Sequence, residues 1–326
     1  MIDILRRGMD LRFEEATIMF NEILDGKMEE SRIEEILVLL ADKGETAEEI
    51  AAAARALLEH AIKLDHSFDS LLDTCGTGGD GSGSFNISTA AAIICSLFIP
   101  VAKHGNRAVS SKSGSADFLE ALNIPIDLDK EQALQFLTEK NFVFLFAQKF
   151  HPAMKSVAHV RKKLGRRTIF NLLGPLCNPA KPNCQLIGVF RHDFMPRYMG
   201  AIEFLGIPNV MVVSSHDGLD EVSISDKTVC YRKKGQSIEK FEFDPKEFGI
   251  YASKDTIKGY EPNTNAKIMK EVFQGEHNDL KNAIAINTAF ALVLAGVEDD
   301  VRMAFMLAKE AIENKSAYEK LTELSS

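Results

Sequence analysis

Five of the eight residues from Gly76 to Gly83 are glycine, in the run Asp73-Thr74-Cys75-Gly76-Thr77-Gly78-Gly79-Asp80-Gly81-Ser82-Gly83-Ser84. A strand-like stretch precedes this run, and Asn86-Ile87-Ser88-Thr89-Ala90 opens a helix after it. Glycine lets a backbone approach a ligand closely and adopt positive φ. The free N–H groups of the following helix start then face the ligand and favour an anion. Asn86, Ser88 and Thr89 add side-chain donors, and a serine hydroxyl can also ligate Mg²⁺. The spacing fits neither a Walker loop nor a clean dinucleotide fingerprint, so the sequence indicates a phosphate without saying which one. A long surface turn with Asn86 as a plain helix cap is the alternative.

Two further clusters carry charge. Lys103-His104-Gly105-Asn106-Arg107 follows the next strand-like run, where Lys and Arg can neutralise phosphate and Arg can do so with two parallel hydrogen bonds. Ser110, Ser111, Ser113 and Ser115 follow, with Gly114 ahead of a second helix start. Asp217-Gly218-Leu219-Asp220-Glu221 follows a later strand. Adjacent carboxylates repel unless a positive group joins them, and Mg²⁺ bridging to phosphate is the natural one. A solvated basic turn and an acidic turn capped by Asp remain the plainer readings. A third stretch, His151 to Asn178, holds a basic helix with Arg161, Lys162, Lys163, Arg166 and Arg167. It continues into the loop Asn171-Leu172-Leu173-Gly174-Pro175-Leu176-Cys177-Asn178-Pro179, and together these could border a pocket for a flat anion.

The elements that must position these groups divide into two textures. Up to about residue 65 the pattern is helical only, with Phe13, Ala16, Phe20, Ile23 and Leu24 at helical spacing. Capping boxes are expected at Ser31–Glu34 and Thr46–Glu49. Beyond Asp65, apolar strand-like runs at 70–75, 100–103, 142–147, 185–190 and 210–214 alternate with helical stretches. Such alternation implies βαβ units and a largely parallel sheet. Residues 228–243 read as an antiparallel excursion, and three helical stretches, 264–274, 277–295 and 299–324, close the chain. The expectation is an α/β protein with a small all-helical domain over 1–66 and a larger αβ domain over 67–326. Part of 156–182, which breaks the αβ rhythm, is expected to complete the helical domain. In parallel sheets ligands lie beyond the carboxyl ends of the strands, so the glycine and basic loops should sit side by side there.

Composition narrows the classes. With 326 residues, 45% hydrophobic and 26% charged, the chain is long and ordinary enough for a large core without disorder or disulfide staples. Its net charge of −9 argues against a general nucleic-acid binder. Five cysteines without C-x-x-C read as free thiols in a reducing cytoplasm. No apolar run reaches the roughly 18 residues of a membrane span, and Met1–Ala16 has no h-region of a signal peptide.

GTGGDGSGSFNIST at 76–89, KHGNRAVSSKSGSADFLEAL at 103–122, HPAMKSVAHVRKKLGRRTIFNLLGPLCNP at 151–179 and DGLDEVS at 217–223 together resemble the anthranilate phosphoribosyltransferase family. They come in that family's order and at its spacing. The resemblance implies the architecture shared with pyrimidine nucleoside phosphorylases, a homodimer, and one or two Mg²⁺ ions. It also implies transfer of phosphoribose from phosphoribosyl pyrophosphate to the amino group of anthranilate, in tryptophan biosynthesis. Gly76, Thr77, Gly79, Asp80, Asn86, Ser88, Thr89, Lys103, Arg107, Ser115 and Ala116 would then contact phosphoribosyl pyrophosphate. Ser88, Asp220 and Glu221 would hold metal. Gly76, His104, Asn106, His151, Arg161, Gly174 and Pro175 would border anthranilate, with Arg161 facing its carboxylate. No catalytic base is evident beyond His104. Ser214-Ser215-His216, Cys177 and Lys149-Phe150 depart from the commoner family pattern without removing a ligand. The rival readings are a pyrimidine nucleoside phosphorylase and a non-enzymatic nucleic-acid-binding relative. Nothing in the residues indicates a glutamine amidotransferase subunit as partner.

Overall fold

The computed structural model describes residues 1–78, 81–108 and 112–326. Gly79, Asp80, Ser110 and Ser111 therefore lie outside the described residues. Four helices open the chain: α1 (Ile2–Arg6), α2 (Phe13–Leu24), α3 (Glu30–Lys43) and α4 (Ala47–Glu59). Thr46 caps α4 as expected, its side chain accepting from Glu49 N at 3.2 Å. The box expected at Ser31 does not form, because α3 already begins at Glu30 with Glu29 as its N-cap. Alanines 51–54 and 56 are fully buried, so α4 is slim enough to pack closely on α2.

The sheet then alternates with helices: β1 (Leu72–Gly76), α5 (Ile87–Cys95), β2 (Val101–Gly105), α6 (Ser115–Ala121), α7 (Lys130–Lys140), β3 (Phe142–Phe146), α8 (Ala147–Phe150), α9 (Lys155–Leu164), β4 (Cys184–Gly188), α10 (Met195–Leu205) and β5 (Asn209–Ser215). An antiparallel hairpin, β6 (Thr228–Lys234) and β7 (Ser237–Phe243), forms one edge. Helices α11 (Pro262–Val272), α12 (Asn278–Ala295), α13 (Val301–Glu313) and α14 (Ser316–Leu324) complete the chain. The stretch expected as one helix over 299–324 is two, because Lys315 takes a left-handed turn at φ +70° and Asn314 caps Ser316.

The sheet order is β3-β2-β1-β4-β5-β6-β7, with β1 to β5 parallel. The chain runs outward from β1 through β2 to β3, then returns to the other side of β1 for β4. The β1–β4 boundary is thus a switch point, where the connections diverge and leave a crevice. Alternation along β5 shows how both faces are filled. Met211 and Val213 join the core under α5 and α12, while Val210 and Val212 join the core under the N-terminal helices and α10. Val157, Val160, Ile169 and Phe170 belong to that second core as well. The whole is a small helical domain beside a larger α/β domain with a seven-stranded, mostly parallel sheet.

Candidate active site

The glycine loop leaves β1 at the switch point. Gly76 pairs in register with Gly188 of β4, and Thr77 N donates to Gly188 O at 2.9 Å. A Cβ at either glycine would run into Asp220, whose side chain lies over Gly76 and whose backbone lies over Gly188. Asp220 reaches this place from the loop after β5, and its Oδ2 accepts from Gly78 N at 3.0 Å. Gly78, Gly81 and Gly83 all take positive φ, which accounts for the glycine density. Glu221 Oε1 accepts from Ser88 N at 3.2 Å, at the first turn of α5. The acidic pair, the glycine loop and Ser88 therefore meet, as the strand order requires.

Asp217 belongs to a different job. Burial pushes its carboxyl up, but hydrogen bonds from Ser225, Ser215 and Ser223 outweigh burial and hold it below the ordinary range. It staples the loop and leaves Asp220 and Glu221 to face the crevice. Hard oxygen donors from two carboxylates and the Ser88 hydroxyl fit Mg²⁺ by charge and by ligand type. The Cβ-free cradle at Gly76 and Gly188 keeps that set close to the phosphate loop.

Three of the residues expected to contact phosphate also have protein partners. Lys103 is buried and gives its ammonium to Thr74 O, beneath the loop and not into the crevice. Arg107 is gripped by Asp117 at 2.9 Å and Glu120 at 2.8 Å, because α6 folds back over the 103–107 loop. Asn86 starts α5 without capping it by its side chain. Its amide donates to Ser113 O and accepts from Asn265 Nδ2, at 3.1 and 3.0 Å. Thr89 and Ala116 are buried, and Ser115 Oγ donates to Asn106 O at 3.2 Å.

The residues expected to border anthranilate adjoin through His104. A ring nitrogen of His104, Nδ1, lies 2.9 Å from Gly174 O, and its ring is 5.1 Å from that of His151. Asn106 accepts from Gln148 at 3.2 Å. Pro175 O accepts from Gln185. Arg161 lies half-buried beside the Phe170 ring, 5.8 Å from its centroid, and among the described residues no carboxylate pairs with it. Burial alone draws its guanidinium below the usual range. A desolvated cation without an internal counter-charge is suited to an anionic ligand. Arg167 stacks on Phe190 at 3.8 Å and donates to Gly78 O at 3.3 Å, which ties the basic segment to the glycine loop. Cys177, the departure in the Gly-Pro-Leu loop, is buried with its thiol toward Ala54 O of α4.

A buried set that the sequence did not single out supports both loops. Asp73 is fully buried, accepting from His104 N at 3.2 Å and Asn178 Nδ2 at 2.8 Å. Burial raises its carboxyl to about 6, against the pull of Lys103. Asn265, in the polar first turn of α11, and Asn287, among the apolar residues of α12, carry no spacing signal either.

Histidine burial gives a pH dependence with a definite sign. Burial, then the neighbouring His151, pushes His104 down to about 3, and burial pushes His151 down to about 4. Both are neutral when folded and protonate near 6.5 when unfolded. Their stabilisation is complete above pH 6.5 and is lost as pH falls toward the folded values. Each loses about 2 kcal/mol between pH 7 and pH 5. Asp73, raised instead of lowered, offsets part of this loss over the same window. The expected result is a lower Tm at pH 5 than at pH 7, with a smaller difference in His151→Gln. An equal difference in both proteins would refute the assignment to His151.

Comparison with known proteins gives the family. A model described as "Glycosyl transferase family, helical bundle domain" matches residues 1–61, and one described as "Glycosyl transferase family, a/b domain" matches 69–318. An anthranilate phosphoribosyltransferase of Caldicellulosiruptor saccharolyticus is 43% identical over 324 residues, covering 99% of this chain and 96% of that one. The crystal structure of the Thermus thermophilus anthranilate phosphoribosyltransferase superposes with a TM-score of 0.92 at 37% identity, over 99% of this chain and 98% of that one. The Saccharomyces cerevisiae enzyme in complex with phosphoribosyl pyrophosphate and Mg superposes with a TM-score of 0.86 at 29% identity, over 96% and 91%.

Proposed function

The chain belongs to the anthranilate phosphoribosyltransferase family, and from that premise we propose how its residues divide the work. It is a Mg²⁺-dependent glycosyltransferase that moves the 5-phosphoribosyl group from phosphoribosyl pyrophosphate to the amino group of anthranilate, releasing pyrophosphate, in tryptophan biosynthesis. The observation that carries the residue assignment is the meeting of Asp220, Glu221, Ser88 and the glycine loop at the β1–β4 crevice. Gly76, Thr77, Asn86, Ser88 and Thr89 bind the sugar pyrophosphate. Gly79 and Asp80 are assigned to the same site on the sequence motif alone. Lys103 adds positive potential from beneath, and Arg107, Ser115 and Ala116 are assigned to the same site on the sequence motif.

Ser88, Asp220 and Glu221 would hold Mg²⁺, which would supply charge neutralisation for the departing pyrophosphate. Arg161 receives the anthranilate carboxylate, while His104, Asn106, His151, Gly174 and Pro175 wall its ring. Gly76 lies where the two substrates adjoin. The aryl amine is neutral at pH 7, so attack on the ribosyl carbon needs orientation more than a base. His104 held at about 3 is neutral but too weakly basic for strong proton abstraction, so it lines the pocket. Loss of anthranilate fluorescence matched one-for-one by pyrophosphate release tests this function. Phosphorolysis of thymidine or uridine in its place would revive the phosphorylase reading.

Arg161→Ala raises the KM for anthranilate by about 10- to 100-fold, the range for removing a charge-assisted hydrogen bond. The KM for phosphoribosyl pyrophosphate should stay within about twofold. An unchanged anthranilate KM refutes the role of Arg161.

The helical domain comprises 1–66 with part of 156–182, and it mediates a homodimer. Ile18 and Phe204 are 56% and 52% exposed, and Phe204 stacks on Phe13 at 5.9 Å. Such an apolar face on the helices is suited to a second copy. Five free thiols fit a cytoplasmic location.

A further inference from the structure

We propose that Asn287 is a positioning residue for the Asp220–Glu221 pair, an inference that rests on the metal role given to that pair. Helix α12 is apolar on nearly every side and buried along most of its length. Asn287 is 3% exposed within it, between Ile286 and Thr288. A buried amide is costly unless its polar atoms are satisfied. Thr288 solves that problem inside its own helix, with Oγ1 donating to Ile284 O at 2.9 Å. Asn287 does so only in part, through Nδ2 to Ala283 O at 2.9 Å.

The rest of the amide reaches out of the helix. Oδ1 accepts from Val222 N at 3.0 Å, and Nδ2 donates to Val222 O at 2.8 Å. Both backbone groups of the residue after Glu221 are thus held by one side chain. The two carboxylates upstream point to different elements, Asp220 to Gly78 N and Glu221 to Ser88 N. Their separation is set by the backbone of residues 220–222. Ser223 is anchored downstream through Thr228, and Asp217 upstream through Ser223 and Ser225. Between those anchors Asn287 is the clamp supplied by α12. Partners that orient metal-holding carboxylates typically change metal affinity by about 10- to 100-fold when removed.

The test is Asn287→Ser. Serine can satisfy Ala283 O as Thr288 satisfies Ile284 O, but it is too short to reach Val222. Binding of phosphoribosyl pyrophosphate is measured by calorimetry across a Mg²⁺ series, without anthranilate and so without turnover. The Mg²⁺ concentration for half-maximal binding should rise about 10-fold. The KM for anthranilate, measured at saturating Mg²⁺, should not move. Thr288→Val, which loses a buried hydrogen bond on the same helix, should lower Tm yet leave the Mg²⁺ dependence unchanged. If Asn287→Ser does not fold, Asn287→Ala carries the same expectation. A wild-type Mg²⁺ dependence in the Asn287 variant, alongside a shifted one in Asp220→Asn/Glu221→Gln, overturns the positioning role alone. If the acidic-pair variant is also unshifted, the metal reading falls and this inference with it.

Discussion

Exchanging Asp220 for Asn and Glu221 for Gln in one chain lowers kcat/KM at limiting Mg²⁺ by about 10³-fold, or about 4 kcal/mol of transition-state stabilisation. The exchange is isosteric. An amide oxygen can still accept from Gly78 N and Ser88 N, so the loop contacts survive. What disappears is the negative charge that draws Mg²⁺ to the pyrophosphate end of the donor. The loss should therefore shrink as Mg²⁺ is raised, which a purely structural defect would not do. Pyrophosphate release followed across a Mg²⁺ series is the measurement. Near-normal turnover at low Mg²⁺ would remove both carboxylates from the metal site. The effect exceeds that of Arg161→Ala because Arg161 holds a carboxylate that does not change in the reaction, whereas the charge on the departing pyrophosphate grows at the transition state.

The strands were legible because a parallel sheet covered on both faces leaves short, continuous apolar runs between helices. The structure closes α7 (Lys130–Lys140) with Asp129 as its side-chain cap and Asn141 in the left-handed region. The break at Lys315 was not legible, since neither glycine nor proline marks it. The site divides the same way. Gly76 and Ser88 could be placed together from the sequence, since one ends a strand and the other begins the next helix, whereas the strand order β1-β4-β5 brings Asp220 and Glu221 to the same edge. Lys103 and Arg107 were legible as charges but not as partners. Their protein partners, Thr74 O for one and Asp117 with Glu120 for the other, are set by tertiary contacts that spacing does not encode. Asn265 and Asn287 act through amides buried in helices, the first hidden among other polar residues of α11 and the second standing out in apolar α12 only as an imperfection in the pattern. Their meaning lies in contacts across 179 and 65 residues of chain, which no local spacing encodes.

Gly188→Ala should damage both the fold and the reaction, and Gly76→Ala mainly the reaction. The two glycines face each other across β1 and β4, and Asp220 lies against both, but with different atoms. At Gly76 an added methyl meets the carboxylate end of Asp220, which can rotate away. Rotation takes the carboxylate off Gly78 N, so metal-dependent turnover falls while the core is little disturbed. At Gly188 the methyl meets the Asp220 carbonyl, and no side-chain rotation relieves that contact. Either β4 or the 217–222 loop has to shift. Overpacking of this kind costs about 1–3 kcal/mol of stability. A displacement on the order of 1 Å at the reacting groups costs roughly 10²-fold in rate. Gly188→Ala is thus expected to lower Tm by several degrees and kcat by about 10²-fold together. Gly76→Ala should lower kcat with Tm nearly unchanged. Thermal melts and steady-state rates on the two variants separate these outcomes. If Gly188→Ala keeps wild-type kcat, the Asp220 loop is not held by the β4 terminus. Equal Tm losses in the two variants would mean that the backbone and side-chain contacts of Asp220 are not distinct constraints.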